Sequence, residues 1–274
     1  MTGKRPYKAL ALDLDGTLLN TKHQIGESDR RALRLMREKG VLLITVTGRT
    51  MEETLVHNHS LNQPGDIAIL QGGSQIVQFE KDSIRSELCL MDPKDRRILF
   101  HVAEQNGFYP LFCIGERVYS KGGYTRFHEI FRQMMDHEVF YIDDLQEFQE
   151  TAPSGKISLM AAYDVLRTCE KEMMEEGLEA PWGRTRINEQ DYGIDVTARS
   201  KKQALIKVLG DMGITPGELI AVGDSDNDLE MLKFAGLGVA MGNAADNVKE
   251  SADYVTFDND HGGVAHVIEK FILN

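Results

Sequence analysis

Short apolar runs alternate with amphipathic segments at both ends of the chain. The first apolar run is Ala9–Leu12, and a second, rich in β-branched residues, is Val41–Val46. Between them, Ala32, Leu33 and Met36 recur at helical spacing. Strands that alternate with helices favour a parallel sheet with helices on both faces. The pattern therefore predicts an α/β core built from the two ends of the chain.

The other elements of this core follow the same alternation. For the first helix, Ser28 is the predicted N-cap and Gly40 marks the predicted end. The remaining predicted elements are the strands Ile67–Leu70, Leu219–Val222 and Gly238–Ala240, and the helices Met51–His59, Lys201–Leu209, Asp228–Phe234 and Gly263–Ile272.

The middle of the chain has a looser order. Asp92 and Pro93 predict the start of a helix, as its N-cap and first residue. Strand-like segments at 156–160 and 184–187 lie on either side of a helical pattern at 165–176. We therefore predict an inserted α+β unit at 83–192, between two core segments at 1–82 and 193–274.

Composition and charge exclude several classes of partner. The chain has 274 residues, 42% of them hydrophobic, which is enough for a sizeable core. Its formal net charge of -12 argues against binding to nucleic-acid phosphates, which needs a basic surface. No apolar run reaches the length of a membrane span, and no signal-peptide pattern is present, so we expect a cytoplasmic protein. The three cysteines are far apart, and we expect reduced thiols.

The acidic stretch GDSDNDLEML at 223–232 raises the question of a cation site. Asp224, Asp226 and Asp228 alternate as the ligands of an EF-hand do. However, Leu229 and Ala235 stand where that loop requires a glycine and a glutamate. The acidic residues follow a predicted strand, and ligands of open α/β sheets bind at the carboxyl ends of strands. The stretch is therefore a candidate for half of a site.

The motif DLDGT is the candidate for the other half. Asp13 and Asp15 follow the first strand, and Gly16 allows the chain to turn away. If these carboxylates meet Asp224 and Asp228, their mutual repulsion requires a divalent cation. Because all these ligands are oxygens, we expect Mg²⁺, with water and a substrate phosphate completing its coordination.

Groups for holding a phosphoryl group stand at other strand and helix ends. Thr47 and Gly48, after the second strand, offer a hydroxyl and a backbone N–H. Lys201 offers an ammonium group at the start of a predicted helix. Asn227 can hold the lysine or a phosphate oxygen. The sequence thus predicts the parts that phosphoryl transfer needs.

Four motifs in the order DLDGT, TGR, SK and GDSDND resemble those of the haloacid dehalogenase-like hydrolase superfamily. The position of the insert between TGR and SK resembles the Cof-type phosphatases with a type-IIB cap. The resemblance implies a Rossmann-like core, with the insert as a cap domain that acts as a substrate lid. It also implies a catalytic role for three residues: Asp13 as nucleophile, Asp15 as general acid and base, and Lys201 as the neutralising charge.

The resemblance also implies two sets of contacts. Backbone N–H groups of Leu14, Thr47 and Gly48 would bind the phosphate, and the backbone carbonyl of Asp15 would reach the metal. The implied phosphate-binding residues are Leu14, Thr47, Gly48, Lys201 and Asn227, and the implied metal-binding residues are Asp13, Asp15, Asp224, Ser225 and Asp228.

The expected function is hydrolysis of small phosphorylated metabolites, with sugar phosphates first, through an aspartyl-phosphate and with Mg²⁺. A phosphosugar mutase and a non-catalytic phosphometabolite-binding protein are the alternatives. Lys202 stands where relatives have a glycine, and Asn243 is a further candidate near the site. We expect neither nucleic acid nor membrane as a partner, and the sequence leaves the substrate and the oligomeric state open.

Overall fold

The structure is a computed structural model of the chain. It describes residues 7–57, 61–115, 117–122, 126–135, 138–143, 153–186 and 191–274. The chain forms two compact units. The first comprises Met1–Gly48, Leu55–Glu87 and Lys201–Asn274, and the second comprises Arg49–Thr54 and Leu88–Ser200. The functional division into a core and a cap remains a prediction.

Strands and helices alternate through most of the described chain. In chain order, the strands are β1 (Ala9–Leu12), β2 (Leu42–Val46), β3 (Ile67–Leu70), β4 (Gln75–Phe79), β5 (Ile84–Leu88), β6 (Leu111–Ile114), β7 (Arg117–Lys121), β8 (Val139–Ile142), β9 (Lys156–Ala162), β10 (Trp182–Arg186), β11 (Asp191–Thr197), β12 (Leu219–Gly223), β13 (Leu237–Ala240) and β14 (Tyr254–Val255). The helices are α1 (Glu27–Glu38), α2 (Met51–His57), α3 (Pro93–Gln105), α4 (Arg126–Met135), α5 (Tyr163–Glu175), α6 (Lys201–Met212), α7 (Leu229–Phe234), α8 (Asp246–Ser251) and α9 (Gly263–Ile268).

An eight-stranded sheet in the order β14-β13-β12-β1-β2-β3-β4-β5 forms the centre of the first unit. From β14 to β3 neighbouring strands are parallel, and β4 runs antiparallel to β3. In this register Leu10 of β1 pairs with Leu43 on one side and with Ile220 on the other. This parallel core with its helices confirms the predicted α/β fold.

The sequence ALAL of β1 shows how the two faces of this sheet are filled. Leu10 and Leu12 point to one face, where they pack with residues of α1 and α9. Ala9 and Ala11 point to the other face, where α6 and α7 cover the sheet. All four side chains are completely buried. Each such leucine contributes about 1.5–3 kcal/mol of hydrophobic stabilisation, which holds β1 at the centre of the unit.

The two ends of α1 test two predictions, of which the first is wrong and the second is confirmed. The helix begins at Glu27 with Gly26 as its N-cap and without a side-chain cap, so the prediction of Ser28 as N-cap is wrong. The chain leaves its extended conformation at Gly26, and Ser28 already lies inside the helix, beyond the capping position. At the other end, Gly40 has φ of 76°, a left-handed conformation that ends the helix as predicted.

The second unit has a six-stranded sheet in the order β10-β11-β9-β6-β7-β8. Its strands pair antiparallel except for β7 and β8. Helices α3 and α5 pack against one face of this sheet. At the start of α3, the carboxylate of Asp92 accepts a hydrogen bond from the backbone N–H of Lys94 at 2.7 Å, which confirms the predicted cap. Residues 58–59 and 187 of the predicted elements lie outside the described residues.

Two further expectations concern the chain as a whole. In the described ranges, no helix has both the length and the apolar character needed to cross a bilayer. Cys89, Cys113 and Cys169 all lie in those ranges, and none of them forms a disulfide.

Candidate active site

The candidate site lies where β1 and β12 end side by side. Asp13 directly follows β1, and Asp224 directly follows β12. The backbone N–H of Asp13 donates to the carbonyl oxygen of Val222 at 3.1 Å, which continues the pairing of the two strands as far as the site. The two acidic motifs, more than two hundred residues apart in sequence, therefore meet at the carboxyl edge of the parallel sheet, where open α/β sheets bind ligands.

Lys201, the first residue of α6, is the cation of this cluster. Its Nζ lies 2.7 Å from Oδ1 of Asp13, 2.7 Å from Oδ1 of Asp228 and 3.1 Å from Oδ1 of Asn227. An ammonium group has three N–H donors, so these contacts use all of them. The Lys201 side chain is 5% exposed. Lys201, and not the partly exposed Lys202, is thus the lysine that faces the acidic residues.

Asp228 connects the lysine with the loop that carries Asp224. Its Oδ1 accepts from Lys201, while its Oδ2 accepts from the backbone N–H groups of Asp224 and Ser225, each at 3.2 Å. The Ser225 hydroxyl oxygen lies 2.9 Å from Oδ1 of Asn227 and 3.2 Å from Oδ2 of Asp228, so its single proton is shared between these two acceptors. Asp228 is completely buried. Because both of its oxygens are occupied by these donors, Asp228 fixes the shape of the loop.

The carboxylate of Asp224 is held by the DLDGT turn. The hydroxyl of Thr17 donates to Oδ1 of Asp224 at 2.9 Å. Gly16 has φ of 78°, and a Cβ atom built there would lie 2.5 Å from Oδ2 of Asp224. Only glycine combines this left-handed backbone with so close an approach. The pairing between Thr17 and Asp224 was not predicted, although Thr17 is the fifth residue of the motif.

Burial and repulsion shift the pKa values of the cluster. Burial raises the pKa of Asp13 well above its usual value, and the positive charge of Lys201 opposes this effect. Burial, followed by the charge of Asp228, raises the pKa of Asp224 to about 6. For Lys201, burial acts to lower the pKa, but the carboxylates of Asp13 and Asp228 outweigh it, so the pKa is raised. One ammonium group therefore does not neutralise the cluster.

The donor set fits a hard divalent cation. Asp13, Asp224 and Asp228 each place one carboxylate oxygen within 4.8 Å of the other two. Three carboxylates face one lysine, which leaves an excess of negative charge that a divalent ion would balance. Oxygen ligands of this kind, few in number, suit Mg²⁺ better than a softer ion. The side chain of Asp15 is exposed, and it lies outside this group of three.

The second motif is positioned by the turn after β3. The backbone N–H of Thr47 donates to the carbonyl oxygen of Ile69 at 2.8 Å, and that of Gly72 donates to the carbonyl of Thr47 at 2.9 Å. Gln71 and Gly72 both adopt left-handed backbone conformations to make this turn. The predicted phosphate contact from the Thr47 N–H does not fit, because the sheet already uses that donor. The phosphate contacts predicted for the Thr47 hydroxyl and for the N–H of Gly48 stay predictions.

The DLDGT turn is also held from the loop after β13. The side-chain amide of Asn243 donates to the carbonyl oxygen of Gly16 at 2.8 Å, and its Oδ1 accepts from the backbone N–H of Asn259 at 3.1 Å. Within the turn, the carbonyl of Leu14 accepts from the N–H groups of Thr17 and Leu19. Asn243 therefore braces the turn rather than joining the acidic cluster.

Comparison with known proteins gives the family. The model for haloacid dehalogenase-like hydrolases matches residues 10–268, so the chain belongs to that family. Phosphatase YwpJ of Bacillus subtilis (strain 168) is 28% identical over 303 residues, covering 97% of this chain and 100% of that protein. The 5-amino-6-(5-phospho-D-ribitylamino)uracil phosphatase YcsE of the same organism is 32% identical over 268 residues, covering 97% and 96%.

Solved structures agree with the family assignment. A haloacid dehalogenase-like hydrolase from Bacteroides thetaiotaomicron has a TM-score of 0.81 and 28% identity, and the match covers 96% of this chain and 99% of that one. The phosphatase BT1666 from the same organism has a TM-score of 0.82 and 27% identity, covering 99% and 97%. The resemblance drawn from the four motifs is confirmed, and the chain is a phosphoric monoester hydrolase of this family.

Proposed function

We propose that the chain is a Mg²⁺-dependent phosphatase that hydrolyses small phosphorylated metabolites, sugar phosphates first, through an aspartyl-phosphate on Asp13. The observation that carries this proposal is the buried contact between Lys201 and Asp13 beside Asp224 and Asp228. A nucleophile, a fixed positive charge and a set of metal ligands thus lie at one edge of the sheet. These are the parts from which phosphoryl transfer is built.

Asp13 supplies the attacking oxygen. Lys201 donates to its Oδ1, and no hydrogen bond from the described residues reaches Oδ2, so we assign the attack on phosphorus to Oδ2. A bond forms between this oxygen and phosphorus as the bond between phosphorus and the ester oxygen breaks. Lys201 offsets the negative charge of Asp13 and of the transferred group. Thr47 through its hydroxyl, and Leu14 and Gly48 through their N–H groups, would bind the phosphate oxygens.

Asp15 moves the protons. Its side chain is exposed at the turn that follows the nucleophile, two residues away in sequence. In the first step it would donate a proton to the leaving alkoxide, which departs as the alcohol. It would then accept a proton from the water that attacks the aspartyl-phosphate. The products are inorganic phosphate and a regenerated Asp13 carboxylate.

The metal would be held by oxygen ligands from two loops. These ligands are the carboxylates of Asp13, Asp224 and Asp228, the backbone carbonyl of Asp15 and the hydroxyl of Ser225. When bound, Mg²⁺ would neutralise part of the charge on the phosphoryl group and help to orient it. Asp228 also accepts from Lys201 and from two backbone N–H groups, so besides its carboxylate charge toward the metal it would hold Lys201 and the Asp224 loop in place. Asp224 would be the more accessible ligand.

The proposed substrate class is supported by the name of one relative. The name of the relative YcsE specifies a phosphate ester of a ribityl chain, and that relative is 32% identical to this chain. Phosphate esters of polyols and sugars therefore head the panel that we would test.

The test is phosphate release from such a panel with and without Mg²⁺, ranked by kcat/KM. Glucose 6-phosphate, followed by phosphorus NMR, should give free phosphate, whereas glucose 1-phosphate as product would indicate a mutase. Asp13→Asn should lose turnover, because it removes the attacking carboxylate with little change in volume. Asp226→Asn, in the exposed part of the acidic loop, is the matched control and should stay active. An active Asp13→Asn variant would overturn the assignment.

A further inference from the structure

Thr17 makes a contact that none of the catalytic steps uses. Its side chain is 1% exposed, and its hydroxyl donates to Oδ1 of Asp224 across 207 positions of sequence. A buried hydroxyl needs a hydrogen-bond partner, and this one finds it in a residue assigned to the metal. The contact therefore connects the first motif with the fourth through one hydrogen bond.

The rest of the turn leaves Thr17 little freedom. Its backbone N–H donates to the carbonyl oxygen of Leu14 at 3.2 Å, and Gly16 before it has φ of 78°. The carbonyl of Gly16 in turn accepts from the side-chain amide of Asn243 at 2.8 Å. The Thr17 hydroxyl is thus presented from a turn that is held both internally and by a neighbouring loop.

The two oxygens of Asp224 are in different surroundings. Oδ1 accepts from Thr17, whereas no hydrogen bond from the described part of the chain reaches Oδ2. Oδ2 also lies against the backbone of Gly16. An aspartate side chain at a strand end can rotate, and each rotation presents a different oxygen to the cluster. The bond from Thr17 selects one of these orientations before any ligand arrives.

We propose that Thr17 is a positioning residue for the cation, because its hydroxyl fixes the Asp224 carboxylate with one oxygen occupied and the other available as a ligand. This inference rests on the proposed function, in which Asp224 binds Mg²⁺. Groups that orient metal ligands typically change metal affinity by about 10- to 100-fold when they are removed. Thr17 would act on binding of the metal and not on the chemical step.

The experiment is titration of Mg²⁺ into the substrate-free protein by calorimetry. Thr17→Val replaces the hydroxyl with a methyl group of similar shape and should weaken Mg²⁺ binding by about 10-fold or more. Thr17→Ser keeps a hydroxyl and should restore most of the affinity. With saturating Mg²⁺, Thr17→Val should keep kcat close to that of the wild type.

Thr256→Val is the matched control, because Thr256 is also buried and its hydroxyl donates to the carbonyl of Gly263 at 2.8 Å, outside the site. It should bind Mg²⁺ as the wild type does. Equal affinity in the wild type and Thr17→Val would overturn the role of Thr17 alone. A wild type that binds no divalent cation would overturn the proposed function as well. If Thr17→Ser binds as weakly as Thr17→Val and melts earlier, packing of the Thr17 methyl group and not its hydroxyl accounts for the effect, and the proposal fails.

Discussion

Lys201 and Asp228 form an ion pair that is almost closed to water: Nζ lies 2.7 Å from Oδ1, and the two side chains are 5% and 0% exposed. Taking charges out of water is costly, and a buried charge whose partner is removed costs more than the pair itself contributed. Removing the lysine would therefore destabilise two buried carboxylates, because Asp13 depends on the same ammonium group.

We expect Lys201→Met to lower the free energy of unfolding by about 3–5 kcal/mol, because it leaves two buried carboxylates without their cation. Turnover should be lost as well. Mg²⁺ should return part of the lost stability, since it binds only the folded cluster. Urea denaturation with and without Mg²⁺ measures both effects. Lys202→Met changes the neighbouring, partly exposed lysine and should leave stability and turnover nearly unchanged. A Lys201→Met protein as stable as the wild type would contradict the geometry.

Asp29 leads to an expectation about pH. It is 3% exposed, and its Oδ1 accepts from the backbone N–H of Ala265 at 2.7 Å in the first turn of α9. Burial raises the pKa of Asp29 above its ordinary value, and the hydrogen bond opposes this only in part. The folded state therefore holds the proton more tightly than the unfolded state does. It follows that this residue makes the protein less stable as pH rises from its ordinary pKa through the raised one.

Asp29→Asn should remove this pH dependence, because the amide oxygen can still accept from Ala265 and carries no charge. Relative to the wild type, the variant should gain stability as pH rises above about 4, the ordinary pKa of an aspartate, and through the raised pKa of Asp29. Asp29→Ala should also lose the pH dependence, but it should be about 1–3 kcal/mol less stable than Asp29→Asn over the whole range, since the N–H of Ala265 is left unpaired. Denaturation curves at several pH values measure these differences. A wild type and an asparagine variant with parallel pH profiles would contradict the raised pKa.

The sequence shows which residues stand at strand ends, because apolar runs followed by acidic residues mark those positions. Asp13 and Asp224 were predicted in this way, and Lys201 was predicted from its place at the start of a helix. The parallel order of β1 and β12 brings the two aspartates together, and Lys201 contacts Asp13. Contacts between individual side chains at the site cannot be predicted from this pattern. The bond from Thr17 to Asp224 depends on the rotamers of both side chains and on the turn at Gly16, which hydrophobic periodicity does not encode.

Local signals also compete with tertiary structure. Ser28 has the chemistry of an N-cap, yet the helix begins before it and its first turn carries Asp29, which caps α9 from a distance. The backbone N–H of Thr47 donates to the carbonyl oxygen of Ile69 in β3. This contact depends on the pairing of β2 with β3, which the local sequence around Thr47 does not show. The hydrogen-bond partners of both residues lie on other elements, and tertiary packing determines which elements meet. The sequence alone therefore identifies these polar residues but does not identify their partners.

Cys169 should be chemically inert in the folded protein. It is completely buried, and burial raises the pKa of its thiol to about 12. The thiolate is the reactive form, and at about pH 8 only about one molecule in ten thousand would carry it. Iodoacetamide should therefore modify the half-buried Cys89 first and leave Cys169 unmodified until guanidinium is added. Peptide mass spectrometry measures this order, and native labelling of Cys169 at the rate of Cys89 would contradict it.

Alanine variants of Gly16 and Gly40 distinguish two effects: the strain of a left-handed backbone, and a clash with the Asp224 carboxylate. Both have left-handed φ values, 78° and 76°. A Cβ atom at Gly40 would meet no atom within 4 Å, whereas one at Gly16 would lie 2.5 Å from Oδ2 of Asp224. Each alanine variant should lose about 1–2 kcal/mol of stability from the backbone strain alone. Only Gly16→Ala should also displace the Asp224 carboxylate.

We therefore expect Gly16→Ala to lose most of its Mg²⁺ affinity and turnover, while Gly40→Ala keeps both at similar stability. Thermal unfolding, calorimetric Mg²⁺ titration and phosphate release on the same preparations separate the two effects. Because the two substitutions impose nearly the same backbone strain, a difference in metal binding between them reports on the contact with Asp224. If the two variants bind Mg²⁺ equally well, the close approach of the turn to Asp224 has no part in forming the site.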